Sequence, residues 1–414
     1  MSQENTAEYG PLHSFVWLAV AIHLVSLGGF MMLMPLGPDL TRSLQLPSDQ
    51  IGLLTGWATL VAAGCGLLAA PWLDKANRRT VLLVCLGGKS LLLALAAQAE
   101  QLSSLYLNYL LSAALAGPLS AVLMAAVLDL TPGPQRGRAM ALLGAAFPLA
   151  AILLVPLALQ TAIWLSWRWS FGLFVVAGLL LCLATLKLMP SLPGHASAGL
   201  ASMRQLLRQR DCQLAAALIA LTMAGHFLLI PSLSAYFQFN LGFAREQISL
   251  LYAVGGVVSL LLLQFTGRLA DQGYQSWLVF GCSALMASAV LAGIVWPLLS
   301  VWLFFCLLMS TSAVRSAVLM SSFSEIPAPM QRAAFMSLLG TVSNLAAGAG
   351  SVFAAAWLGN NAQQLTGFAG LGFINVLAIA GSLVIWGLYL RERQKIAAAA
   401  AQATALKEAS EQPA

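Results

Sequence analysis

Apolar runs of about twenty residues recur along the whole chain, each closed by a short polar or Gly/Pro-bearing stretch. They predict spanning segments at roughly 14–36, 50–72, 80–98, 105–129, 138–160, 169–189, 213–238, 247–268, 276–296, 299–323, 333–357 and 368–390. Each is long enough to cross a hydrocarbon core of about 30 Å. The runs are continuous rather than alternating, so they predict helices and not barrel strands. In lipid these are the two structures that satisfy every backbone polar group internally.

Composition strengthens the membrane assignment. Of 414 residues, 60% are hydrophobic and 8% charged, against roughly 25% charged in soluble domains. So few charges cannot cover a water-facing surface, and a soluble enzyme is excluded. The formal charge of +6 would suggest nucleic acid in a soluble protein. Here it reflects the cytoplasmic bias of basic residues in membrane proteins, and no nucleic-acid partner is expected. With the N-terminus inside, 15 of the 20 Lys and Arg fall in inner loops and tails. Three (Arg42, Arg168, Arg245) fall outside, and Lys89 and Arg315 fall within spans. Both termini are therefore expected in the cytoplasm. The polar first 13 residues lack a basic n-region, so no cleaved signal peptide is expected.

The longest inner connection, 190–212, separates six spans from six. The expected organisation is a tail at 1–13, a six-helix bundle at 14–189, a linker at 190–212, a second bundle at 213–390 and a tail at 391–414. An internal repeat supports it. Ser120-Ala-Val-Leu-Met124 recurs as Ser316-Ala-Val-Leu-Met320, with Asp129 facing Glu325 and Gln135-Arg136 facing Gln331-Arg332 at the same offset. At an offset one greater, Asp49-Gln-Ile-x-Leu-Leu54 faces Glu246-Gln-Ile-x-Leu-Leu251, and Asp74 faces Asp271. The expected fold class is an all-α membrane protein of 12 transmembrane helices in two pseudo-symmetric six-helix bundles. A site near mid-membrane between the halves is implied, as in transporters built from parallel repeats.

The loop Ala70-Pro-Trp-Leu-Asp74-Lys-Ala-Asn77-Arg78-Arg79 resembles the cytoplasmic signature of the major facilitator superfamily, with Ala70 and Asn77 in place of two glycines. Asn tolerates left-handed backbone, so it is expected to keep the turn. Gly267-Arg-Leu-Ala-Asp271-Gln-Gly273 is its second copy, without the paired arginines. The stretches Asp129–Gly144, Trp167–Phe171 and Ile230–Tyr236, with Gly255-Gly256, resemble the bacterial drug and sugar efflux branch. Two departures stand out. Ala113-Ala-Leu-Ala-Gly117 lacks the fourth-span arginine of drug/proton antiporters, and Phe147-Pro148-Leu-Ala-Ala151 lacks their fifth-span glycines. The resemblance implies a secondary transporter of a bacterial inner membrane, working as a monomer, with cavity-lining helices one, four, seven and ten. It also implies that Asp74, Arg78, Arg79 and Asp271 form a latch at the inner gate.

Ionisable groups deep in a membrane are costly and mark cavities or partners. Four fall within spans: His23, Lys89, His226 and Arg315. All 14 Asp and Glu lie in loops, tails or span ends. Arg315 can grip a carboxylate bidentately or brace helix ends. Lys89, after Gly87-Gly88, can bind substrate, carry a proton or brace the bundle. His23 and His226 are candidate substrate contacts and suit proton coupling or a neutral structural role, and Asp39 is a further proton candidate. Tyr236 is a candidate substrate contact. Asn108, Gln264, Asn344 and Asn375 can line a cavity or join helices. The pattern predicts transport of a small anionic organic solute, driven by a proton or other ion gradient and with no cofactor. A multidrug exporter of lipophilic compounds is the rival. An integral membrane lipid-modifying enzyme would need a convergent acid, base or metal set that the spans do not offer.

Overall fold

In a computed structural model the described residues are 14–45, 47, 49–73, 75–132, 135–193, 206, 208–324, 326, 332–361 and 364–411. Among them are twelve helices long and apolar enough to cross a membrane, numbered here as spans 1 to 12. They are Ser14–Met31, Gln50–Leu73, Arg78–Ala97, Leu102–Leu130, Arg138–Trp164, Trp167–Leu188, Arg210–Asn240, Arg245–Leu269, Gln272–Val295, Val301–Phe323, Phe335–Trp357 and Phe368–Ile396. The predicted spans all appear, most of them longer by a turn or less.

The first and last depart furthest from expectation. Span 1 continues past a break at Met32 as a helix over Leu33–Leu44, so Asp39 and Arg42 stand on helix rather than in a loop. Gln45, at φ 52°, ends it with the left-handed cap that commonly closes helices. The last helix runs from Phe368 to Glu411 and carries most of the predicted tail. A two-stranded antiparallel hairpin, Gly359–Asn361 with Gln364–Thr366, lies between spans 11 and 12, where the hydropathy pattern carried no signal.

Glycine sets the closest crossings. A Cβ at Gly117 of span 4 would lie 2.0 Å from the Ala62 carbonyl oxygen of span 2, and one at Gly350 of span 11 would lie 2.4 Å from that of Ala224 in span 7. Small residues let backbones meet where lipid supplies no hydrophobic drive. Of the Gly87-Gly88 pair, Gly88 meets Leu115 of span 4 and Gly87 faces open space.

The bundle has a proximal end, holding the ends of spans 1 and 12 nearest the chain termini, and a distal end. At the distal end one hydrophobic core takes in both halves, from Met32, Leu36 and Leu54 to Phe237, Phe304 and Leu371. At the proximal end there are two cores. One holds Phe15, Leu82 and Val127 of the first half; the other holds Ile219, Phe323 and Trp386 of the second. The span 2–span 11 contact shows the transition. Gly56 packs on Val352 and Gly348 on Leu60, but roughly two turns further on nothing lies against Gly64 or Gly340. The halves are joined distally and parted proximally.

Candidate functional site

The mid-span cations stand at the level where the shared core divides. Lys89 of span 3 lies between Leu86 of the proximal core and Leu93 of the shared one. Its Nζ donates to the Ser26 hydroxyl of span 1 at 2.6 Å and to the Ser26 carbonyl at 3.2 Å. Around it are Val25, Ser90, Leu119, Phe174 and Gly178. His23, one turn before Ser26, lies within electrostatic reach of Lys89. Its Nδ1 is buried with no hydrogen-bond partner among the described residues.

Arg315 of span 10 is 3% exposed. Its Nη2 donates to the Thr222 hydroxyl of span 7 at 3.0 Å, and its Nη1 lies 4.0 Å from the Met286 sulfur of span 9. His226, one turn after Thr222, lies 2.9 Å from the Ser312 hydroxyl and within electrostatic reach of Arg315. Each half thus holds a cation, a hydroxyl and a histidine. Hydroxyl and histidine are three or four residues apart, hence on one helix face. The described hydrogen-bond partners of both cations lie within their own halves. No described carboxylate is among them, and no group of three or more His, Cys, Asp or Glu suited to a metal occurs among the described residues.

The other expected residues fall elsewhere. Tyr236 is buried and stacks on Phe368, with ring centroids 4.1 Å apart. Asn375 donates to the Gly225 carbonyl at 2.7 Å and ties span 12 to span 7. Asn108 bonds within its own helix, to the Ser104 carbonyl. Gln264 and Asn344 are exposed.

At the proximal signature, Asp74 lies outside the described residues, as does the side chain of Asp271. Asn77 is not left-handed. At φ −66° and ψ 119° it is the N-cap of span 3, its side chain accepting from the Arg79 N–H at 3.0 Å. An extended N-cap satisfies an otherwise unpaired helix N–H, which a left-handed turn would leave open. In the second copy Gly273 does take the left-handed conformation, at φ 89°. Arg78 is buried, donates to the Leu73 carbonyl at 2.7 Å and lies 3.5 Å from the Asp129 carboxylate. Arg79 donates to the Leu186 carbonyl.

The distal seam was missed by sequence reasoning. Asp39 of the span 1 extension pairs with Arg245, which opens span 8, and lies 3.6 Å from Arg42. Arg42 donates to Gln238 of span 7 at 2.9 Å and covers the Phe239 ring. Ser234 donates to the Pro35 carbonyl, Ser249 to that of Pro156 and Ser351 to that of Gly52. Apart from the Asp39–Arg42 pair, these bonds join the two halves, and all lie in the distal part. A further register match, at offset 196, was available: Ser26 with Thr222, Gly29 with Gly225 and Pro35 with Pro231.

Two six-span halves, merged at one end and separate at the other, with polar residues buried at the division, define a polytopic helical membrane protein. The sequence profile described as Major Facilitator Superfamily matches residues 18–211. Over 145 residues the chain is 34% identical to the class B tetracycline resistance protein of Escherichia coli, covering 34% of this chain and 36% of that one. Over 238 residues it is 25% identical to a probable sugar efflux transporter of Helicobacter acinonychis (strain Sheeba), covering 56% and 60%. The matches thus span about a third and three-fifths of those relatives' lengths. Across 91% of this chain and 96% of the other, the fold matches a bacterial homologue of the human lysosomal transporter Spinster, at a TM-score of 0.72 and 14% identity. The first half of the chain thus resembles the major facilitator superfamily, and the matched relatives are a tetracycline resistance protein and a probable sugar efflux transporter.

Proposed function

We propose that the protein exports a small organic solute with a negative group from a bacterial cytoplasm, by alternating access and as a monomer. The observation that carries the charge preference is a mid-span cation in each half with no carboxylate among its described partners. Lys89 and Arg315 bond to hydroxyls and not to carboxylates. They act on the space between the halves through their field. At ~10 Å and an effective dielectric of ~20, one unit charge favours an opposite one by on the order of 1–2 kcal/mol. Two such charges bias selection towards anions without excluding neutral solutes. Direct contact of Arg315, Lys89 or Tyr236 with substrate requires their side chains to turn from their present partners as the halves move.

Alternating access is supported by the division of cores, since the distal seam is made of bonds that can break as the proximal ends meet. The termini are placed in the cytoplasm by the basic-residue bias, which makes the distal seam the outer gate. Arg78, Arg79, Asp74 and Asp271 then belong to the inner gate, and His23 and His226 are the positions for proton coupling. Asp39, held between Arg42 and Arg245, serves the outer gate before any proton. The second reading, drug export, is favoured by the 34% identity to the tetracycline resistance protein over 145 residues.

The test is flux in proteoliposomes under an imposed pH gradient, comparing benzoate, tetracycline and tetraphenylphosphonium. The proposal expects benzoate movement, reduced severalfold in Arg315→Met. Transport of tetraphenylphosphonium without benzoate overturns the charge preference. Transport of tetracycline alone supports the second reading.

A further inference from the structure

The two buried cations are matched by the internal repeat although they stand on different helices of it. Lys89 is on span 3, and its repeat partner, 197 residues on, is Met286 of span 9. Arg315 is on span 10, and its partner, 196 residues back, is Leu119 of span 4. The registers hold nearby, since Cys85 pairs with Cys282 and Ser120 with Ser316. In the first half Lys89 and Leu119 line the same small cavity. In the second, Arg315 lies against Met286. Each half therefore places one cation and one apolar side chain at the same helix crossing, with the roles exchanged. Both cations donate to repeat-matched hydroxyls, Ser26 of span 1 and Thr222 of span 7.

The level is the same in both halves. Ser26 lies between Ile22 of the proximal core and Met32 of the shared core, and Thr222 lies between Ile219 and Leu228 in the same way. Beyond these anchors spans 1 and 7 run on to the distal seam, where Pro35 and Ser234 bond to each other. We propose that the Lys89–Ser26 and Arg315–Thr222 contacts are one duplicated positioning device. Each clamps its own half's seam-forming span to the 3–4 or 9–10 crossing at the level where the halves part. The half then moves as one body about that level. What the device requires is a cation at that place, whichever of the two crossing helices supplies it. The inference rests on the alternating-access part of the proposed function and not on the choice of solute.

Spin-label distances within each half test it, because they need no substrate. Labels replace Trp17 and Val84 for spans 1 and 3, and Gln213 and Trp277 for spans 7 and 9, on a background with the six native cysteines replaced. Lys89→Leu is expected to broaden the first distance distribution and Arg315→Leu the second. Moving the cation across the crossing is expected to restore each width, in Lys89→Leu with Leu119→Arg and in Arg315→Leu with Met286→Lys. Turnover of whichever panel solute the wild type carries should fall roughly tenfold in the single variants, as expected for one lost charge-assisted hydrogen bond. Half-saturation for an anionic solute should also rise, since each cation favours it, and the relocated variants, which restore charge and clamp together, should recover. If a single variant does not fold, Ser26→Ala and Thr222→Val remove the hydroxyl acceptor instead and should broaden the same distributions. Unchanged widths in the single variants or, where these do not fold, in the acceptor variants overturn the proposal, as do relocated variants no better than the single ones. A failure of benzoate flux alone overturns the charge preference and leaves the distance result standing.

Discussion

Arg245, the first residue of span 8, pairs its guanidinium with the Asp39 carboxylate, 206 residues earlier in the chain. The bond joins the halves at their distal end, beside Arg42 and Gln238. Removing the carboxylate leaves Arg42 and Arg245 facing one another without a counter-charge. A buried pair broken this way costs about 2–5 kcal/mol. Arg245 is about a quarter exposed, so screening reduces that to about 1–2 kcal/mol. Asp39→Asn should therefore shift molecules towards distal opening by roughly tenfold. Alkylation of a cysteine placed at Leu159, which lines the small cavity beside this pair, should accelerate to match.

The span 2–span 4 crossing gives a sharp stability prediction. At Gly117 a methyl group would overlap the Ala62 carbonyl, a backbone atom that cannot rotate away. Gly117→Ala should cost about 1–3 kcal/mol, the usual range for overpacking. Gly87→Ala, one span away and facing open space, should change stability by less than about 0.5 kcal/mol. Thermal unfolding of the two variants in detergent, followed by intrinsic fluorescence, separates them.

Arg78 binds the end of span 2 through the Leu73 carbonyl and meets Asp129 at the end of span 4. It is buried, with its Asp129 partner partly in solvent. Arg78→Gln keeps a donor but loses the charge and the fork geometry. It should lower stability by about 1–3 kcal/mol, the scale of a hydrogen bond to a charged group. Arg136→Gln, whose exposed parent side chain donates to the Thr131 carbonyl at the same end of span 4, should cost less. Chemical denaturation in mixed micelles ranks the pair.

The spans were legible because lipid imposes one rule on every segment, and a twenty-residue apolar run obeys it visibly. Lys89, Arg315 and the two histidines were equally visible, because an ionisable residue in such a run is conspicuous. Their partners were not. Ser26 and Thr222 are ordinary residues of apolar helices, and only the folded crossing shows that a cation rests on each. The distal seam was hidden for a different reason. Asp39, Arg42 and Arg245 read as loop charges until the helix over Leu33–Leu44 carries two of them to the third. Asn77 shows how a motif can mislead, since it stands in a glycine position of the signature yet serves as a helix cap.

The central claim, that solute crosses because the distal seam parts while the proximal ends close, is tested most directly by locking that seam. Cysteines at positions 39 and 245, joined by a reducible bifunctional linker, should abolish flux of the carried panel solute in proteoliposomes. Cleaving the linker with a thiol should restore it to the level of the unlinked double variant. Flux that continues undiminished with the link intact would contradict the account.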